Sequence, residues 1–234
     1  MRGWVREGIN PSPTLDPWTP QTLFLVIFVL MKRSNLIFNL TRAVSRCSLP
    51  FKFQVRVEGL ANLPEKGPAF LIPKHQQWWD VPLLGHVVPR PLHFLAKQEL
   101  FRTSLGRYFI TRLGGISVDR ESPIKSLATF RALVSLLRQE AFLVLFPEGT
   151  YYPGAMGPGK WRLVQLILRL QDKQALGSIP FIPVGIGYER SSGSSRTRVT
   201  LRLGEPLQEP DPCRAEDFTG HLLSRIMELS GLQS

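Results

Sequence analysis

Cysteine is scarce in this chain: two in 234 residues, Cys47 and Cys213, far apart. That excludes a disulfide scaffold and a cysteine-rich metal site, and makes a reducing compartment the default. Long hydrophobic runs are missing too. The longest obvious one, Leu23 to Met31 (LFLVIFVLM), is nine residues. As a helix it covers about 14 Å of a hydrocarbon layer about 30 Å thick, so it does not cross alone. It is also a poor secretory signal, because Arg2 and Arg6 lie well upstream and Lys32 and Arg33 follow at once. No repeat or low-complexity tract occurs, and 43% hydrophobic against 20% charged residues excludes a disordered tail. Acids are the minority charge, 18 Asp and Glu against 29 Lys and Arg. A net charge of +11 implies an anionic partner: nucleic acid, a membrane surface, an acidic carrier or a phosphorylated substrate.

The length suits one domain with appendages. Residues 1–20 hold four prolines and read as an irregular leader. After the apolar run, Asn35 to Leu49 places Leu36, Ile37, Leu40, Val44 and Cys47 on one helical side, with Arg42 and Arg46 elsewhere. The two segments predict a helical hairpin, which with the irregular leader makes up residues 1–49 and dips into one leaflet of a membrane with help from its basic flanks. A hairpin packed on the domain core is the other reading of the same pattern.

From residue 50 the pattern changes. Phe51 to Glu58 alternates as a half-buried strand. Short apolar runs recur at Ala69 to Pro73, Leu92 to Ala96, Ile116 to Val118, Phe142 to Phe146 and Ile179 to Ile186, and Thr197 to Leu203 alternates again. Helical patterns fall between them: Pro123 to Gln139, with Ser122 as N-cap, Lys160 to Leu170, and a closing helix over Glu216 to Leu229. Strands alternating with helices predict an α/β domain over residues 50–234, with a mixed, mostly parallel sheet flanked by helices.

Four segments carry chemistry. His75 follows an apolar run, where ligands and catalytic groups collect in α/β folds. Asp80 lies five positions on, about 140° away on a straight helix, so the two meet only if a loop turns into a helix between them. Paired, the carboxylate would fix the imidazole's tautomer and let the other ring nitrogen take a proton. A strand running into Pro147, Glu148 and Gly149 would bring a carboxylate and backbone amides to the sheet edge. Gly114 to Arg120 offers close backbone approach and a bidentate guanidinium. Pro180 to Gly187 reads as a buried strand with a glycine-lined exit. Singly, each also fits a plain structural role. Trp78 and Trp79 could line an apolar ligand's path, anchor an interface or pack the core.

In this order the four segments resemble the glycerophospholipid acyltransferase family, relatives of 1-acylglycerol-3-phosphate O-acyltransferase: His-x4-Asp at His75 to Asp80, the glycine–arginine segment at Gly114 to Arg120, Phe-Pro-Glu-Gly-Thr at Phe146 to Thr150, and Ile-Pro-Val at Ile182 to Val184. Ala96 to Phe101 resembles a further family segment. The resemblance covers roughly residues 50 to 205. It implies a membrane-associated O-acyltransferase, with His75 as general base and Asp80 orienting it. Lys97, Arg120, Glu148, Gly149 and Thr150 would bind substrate, and no metal or cofactor is implied. An acyl-carrier protein or coenzyme A thioester would be the donor, a lysophospholipid the acceptor, and the cytoplasmic face of a membrane the location. Three positions depart from the family pattern: Lys74 where asparagine is frequent, Ser117 where phenylalanine is, and Tyr151 where an arginine usually follows Glu-Gly-Thr. A phenol does not replace a guanidinium as a phosphate clamp. Either Lys74, Lys97, Arg120, Lys160 or Arg162 supplies the charge, or the acceptor is a lipid alcohol or glycolipid without phosphate.

Two other classes compete. A non-catalytic basic module fits the charge, but the excess is spread along the chain rather than gathered on one element with interleaved aromatics, which argues against nucleic acid. A hydrolase using the same His–Asp pair on lipid esters is the other.

Overall fold

The computed structural model describes residues 34–118, 127–190, 193 and 195–232. Arg33–Ser234 forms one compact unit. The first half of the expected hairpin and Arg120 lie outside the described residues.

Helix α1 (Asn35–Lys52) starts where Ser34 Oγ accepts from the Ile37 amide at 3.3 Å, an N-cap contact. It runs on past Pro50, beyond the expected stop and into the predicted start of the strand, which begins at Phe53 instead. Pro50 removes a single helical bond. The Phe53 amide still closes on the Leu49 carbonyl, so the last turn survives.

Seven strands form one sheet: β1 (Phe53–Glu58), β2 (Ala69–Pro73), β3 (Leu92–Lys97), β4 (Gly115–Val118), β5 (Phe142–Val144), β6 (Phe181–Glu189) and β7 (Thr197–Leu203), in the order β1-β7-β6-β2-β5-β3-β4. Every pairing is parallel except β6 with β7. The crossovers carry α2 (Asp80–Val87), α3 (Ser104–Arg112), α4 (Leu127–Arg138) and α5 (Trp161–Lys173), and α6 (Ala215–Ser230) closes the chain. The mixed, mostly parallel sheet flanked by helices is the architecture expected from the sequence.

Helices on both faces explain why β2 is buried at all five positions. Strand alternation divides its side chains between two cores. Phe70 and Ile72 pack with Leu133, Leu163, Ile167, Phe218 and Leu222 of α4, α5 and α6. Ala69 and Leu71 pack with Leu49, Leu83, Leu84 and Val88, from α1, α2 and the end of α2. Arg42 of α1 donates to the Val88 and Pro89 carbonyls at 3.0 and 3.3 Å, closing the α2 C-terminus, so α1 is part of the layer that covers the sheet. Strands β2, β5 and β6 run parallel at the centre, so their C-terminal ends gather on one edge. Among the described residues no helix is long and apolar enough to cross a membrane.

Candidate active site

Strand β2 ends at Pro73, and the Lys74 amide extends its pairing by donating to the Val184 carbonyl at 2.9 Å. The chain then turns through residues 75–79 and enters α2 at Asp80. That turn removes the 140° problem of a straight helix. His75 Nδ1 lies 2.9 Å from Asp80 Oδ2. The same oxygen accepts from the backbone amides of Gln76 at 2.7 Å and Gln77 at 2.8 Å. Asp80 is fully buried in the first turn of α2, where a helix favours negative charge. Its other oxygen, Oδ1, accepts from the Tyr188 hydroxyl at 2.6 Å. Burial first, then the Asp80 charge and hydrogen bond, push the Tyr188 phenol well above its ordinary range, so it stays a donor.

A carboxylate only accepts, so Nδ1 carries the proton it donates, and the lone pair of the neutral ring sits on Nε2. The ring is held from both sides: it stacks on Phe146 with centroids 3.8 Å apart and leans against Tyr151 at 4.3 Å. Its side chain is 12% exposed, so an edge of it reaches the surface. The arrangement offers a fixed imidazole at the mouth of a sheet edge, which can draw a proton from a hydroxyl and return it.

Beneath it lies a second polar cluster. The Lys74 and Glu148 side chains are both wholly buried, 2.6 Å apart. Lys74 Nζ also donates to the Tyr152 carbonyl at 2.8 Å and the His75 carbonyl at 3.3 Å, which uses all three of its protons. Glu148 Oε1 accepts from the Gly157 amide at 2.7 Å as well, and Oε2 from the His75 amide at 2.9 Å. Gly157 is the residue the close approach requires, since a Cβ there would lie 2.2 Å from the Tyr152 ring. The sequence signals therefore separate in space. Glu148 is turned inward onto Lys74 and the His75 backbone. Gly149 is buried with φ of 74°, in the left-handed region that favours glycine, and its amide donates to the Phe146 carbonyl. Thr150 is exposed just beyond it, and Lys97 is exposed at the end of β3. Lys160 and Arg162 are exposed at the start of α5, the latter 5.1 Å over the Trp161 ring.

Sequence reasoning missed two contributors. Tyr188 sits 108 positions from Asp80 and carried no local signal. Gln76 bridges two elements, its amide nitrogen donating to the Ile186 carbonyl of β6 and its oxygen accepting from the Gly154 amide at 3.0 Å. Next to this constellation an apolar cavity of about 360 Å³ opens between α1, α2, β3 and α3, lined among others by Trp78, Val81, Phe94, Ala96, Leu100 and Ile110. Trp78 is 58% exposed and stacks on Trp79 at 3.8 Å.

Known proteins resemble this chain in sequence and in fold. The chain is 29% identical over 186 residues to the 1-acyl-sn-glycerol-3-phosphate acyltransferase of Bacillus subtilis, covering 75% of this chain and 87% of that one. It is 30% identical over 147 residues to the lyso-ornithine lipid O-acyltransferase of Pseudomonas aeruginosa, covering 63% of this chain and 52% of that one. Its fold matches the crystal structure of the 1-acyl-sn-glycerophosphate acyltransferase PlsC of Thermotoga maritima, with a TM-score of 0.61 and 20% identity over 90% of this chain and 89% of that one. The family model described as Acyltransferase matches residues 54–187, a span that runs from within β1 to within β6 and includes both carboxylates of the site, and the chain belongs to that acyltransferase family.

Proposed function

We propose that this acyltransferase works at the cytoplasmic face of a membrane and moves a fatty acyl group from a thioester, acyl-carrier protein or coenzyme A, to a lysophospholipid hydroxyl, with 1-acylglycerol-3-phosphate as the acceptor. The observation that carries the reading is the 2.9 Å contact between His75 Nδ1 and Asp80 Oδ2 beneath a partly exposed ring. His75 Nε2 takes the acceptor's hydroxyl proton while the oxygen attacks the thioester carbonyl. The tetrahedral intermediate collapses, the C–S bond breaks, and the imidazolium returns its proton to the leaving thiolate. Asp80 stabilises the imidazolium in between. No covalent acyl-enzyme is required.

Two further features support a lipid setting. The apolar cavity beside Trp78 and Val81 suits an acyl chain. On α1, Leu36, Leu40, Val44 and Phe51 are exposed between 58% and 85%, an exposed apolar stripe on a helix that also carries Arg42, Arg46 and Lys52.

A second reading of the acceptor has its own support. Tyr151 stands against the His75 ring, and Lys74 is consumed by Glu148, so neither side chain brings a free cation to the base. That arrangement favours an acceptor without a phosphate monoester, and the similarity to a lyso-ornithine lipid O-acyltransferase points the same way.

The deciding experiment offers purified protein in micelles a radiolabelled acyl thioester with 1-acylglycerol-3-phosphate, lyso-ornithine lipid, a glycolipid and a lipophilic alcohol in turn. Label in phosphatidic acid alone supports the first reading, and label only in the acylated product of a phosphate-free acceptor supports the second. Free fatty acid with every acceptor replaces transfer by hydrolysis. Full activity in His75→Ala ends the mechanism.

A further inference from the structure

Asp80 is held asymmetrically. Three donors, the His75 ring and the Gln76 and Gln77 amides, converge on Oδ2, and all come from its own loop. Oδ1 is met from another element, by the Tyr188 hydroxyl of β6. Strand alternation explains how it gets there. Val184, Ile186 and Tyr188 lie on the same face of β6, toward α1 and α2, and β6 pairs beside β2 with Pro73 opposite Val184. The Tyr188 ring is fixed by edge-on contact with Phe53 at 6.3 Å. Its 2.6 Å bond falls in the range of short charge-assisted O–H···O⁻ contacts.

We propose that Tyr188 is a positioning residue for the His75–Asp80 pair, its hydroxyl gripping Oδ1 so that Oδ2 stays on Nδ1, and drawing off part of the carboxylate charge that the imidazole feels. The proposal rests on the general-base reading above. Asp80 from α2 and Tyr151 from the segment after β5 meet the His75 ring, while Glu148 and Lys74 meet the His75 backbone amide and carbonyl. Tyr188 acts on the ring only through Asp80. Loss of its proton donation leaves more charge on Oδ2, which binds the imidazolium more tightly.

The test is Tyr188→Phe in the full chain, which keeps the ring. NMR titration of the His75 imidazole, assigned with His75→Gln, is expected to move to higher pH by on the order of half a unit. The acid limb of the kcat profile is expected to move the same way, with kcat down about ten-fold at neutral pH and KM for the acyl thioester unchanged. In an Asp80→Asn background, Tyr188→Phe is expected to move the His75 titration no further. An unmoved titration in the single variant overturns the proposal, even with a lowered Tm, because that is the signature of packing alone. An equal shift in the Asp80→Asn background also overturns it. If wild-type protein transfers no acyl group, the reaction assigned above fails, and the NMR arm still decides the role of Tyr188.

Discussion

Lys74 Nζ lies 2.6 Å from Glu148 Oε1, and neither side chain reaches solvent. The pair joins the end of β2 to the loop after β5, and it fixes the backbone of His75, whose amide donates to the second Glu148 oxygen. Removing one partner leaves the other buried and uncompensated, which costs about 3–5 kcal/mol. Lys74→Met and Glu148→Leu are each expected to lose stability on that scale in urea unfolding. The double variant is expected to recover part of the loss, since an apolar pair replaces a satisfied ionic one. Additive single losses would contradict the pairing as the source.

Much of this was legible in the residues, and the rest was hidden for identifiable reasons. Ala69–Pro73 and Thr197–Leu203 fall where their apolar runs placed them, because a strand buried on both faces and a strand alternating on one both write their environment into the sequence. The helix α3 was not foreseen. It is nine residues long and contains Gly106, and its apolar stripe of Leu105, Tyr108 and Phe109 stays exposed instead of marking a buried face, although Thr103 caps it through the Gly106 amide. At the site, His75 and Asp80 were readable because only four residues separate them. Tyr188 depends on the β2–β6 register, and Lys74 read as a candidate phosphate cation because nothing local says that Glu148, 74 positions away, captures it.

His86, at the end of α2, supplies a pH test. Burial first, then Arg46 and Arg42, lower its pKa below the ordinary 6.5, and its Nδ1 has no hydrogen-bond partner among the described residues. A histidine whose folded pKa is depressed binds its proton more readily when unfolded, so stability is full above pH 6.5 and falls as the pH drops below it. His86→Leu is expected to flatten the fall in Tm between about pH 6.5 and 5 while changing little at pH 8. An unchanged slope would remove His86 as the titrating group.

The outer stripe of α1 is expected to matter for lipid binding and little for folding. Leu40 and Val44 are 62% and 58% exposed, so Leu40→Glu with Val44→Glu is expected to change unfolding stability by no more than surface substitutions do, about 0.5 kcal/mol each. Co-sedimentation with vesicles containing anionic lipid is expected to weaken at least ten-fold, because two charges must enter the apolar interface. Undiminished sedimentation would place membrane contact elsewhere on the molecule.

The apolar cavity makes the last prediction. Ala96 is half-buried on β3 and lines it, facing the same space as Val81, Leu100 and Ile110. Ala96→Phe puts a ring into existing empty volume rather than into packed core, so the substitution avoids the overpacking penalty of about 1–3 kcal/mol and leaves Tm near wild type. If an acyl chain occupies the cavity during transfer, the space left for its distal methylenes shrinks. Rates measured across a series of acyl thioesters are then expected to shift toward shorter chains, each excluded methylene forfeiting about 0.8 kcal/mol of burial. The His75–Asp80 geometry is untouched by this change, so activity with the shortest donors is expected to persist. A uniform fall across all chain lengths would show that the chain lies elsewhere and that the ring has disturbed the base instead.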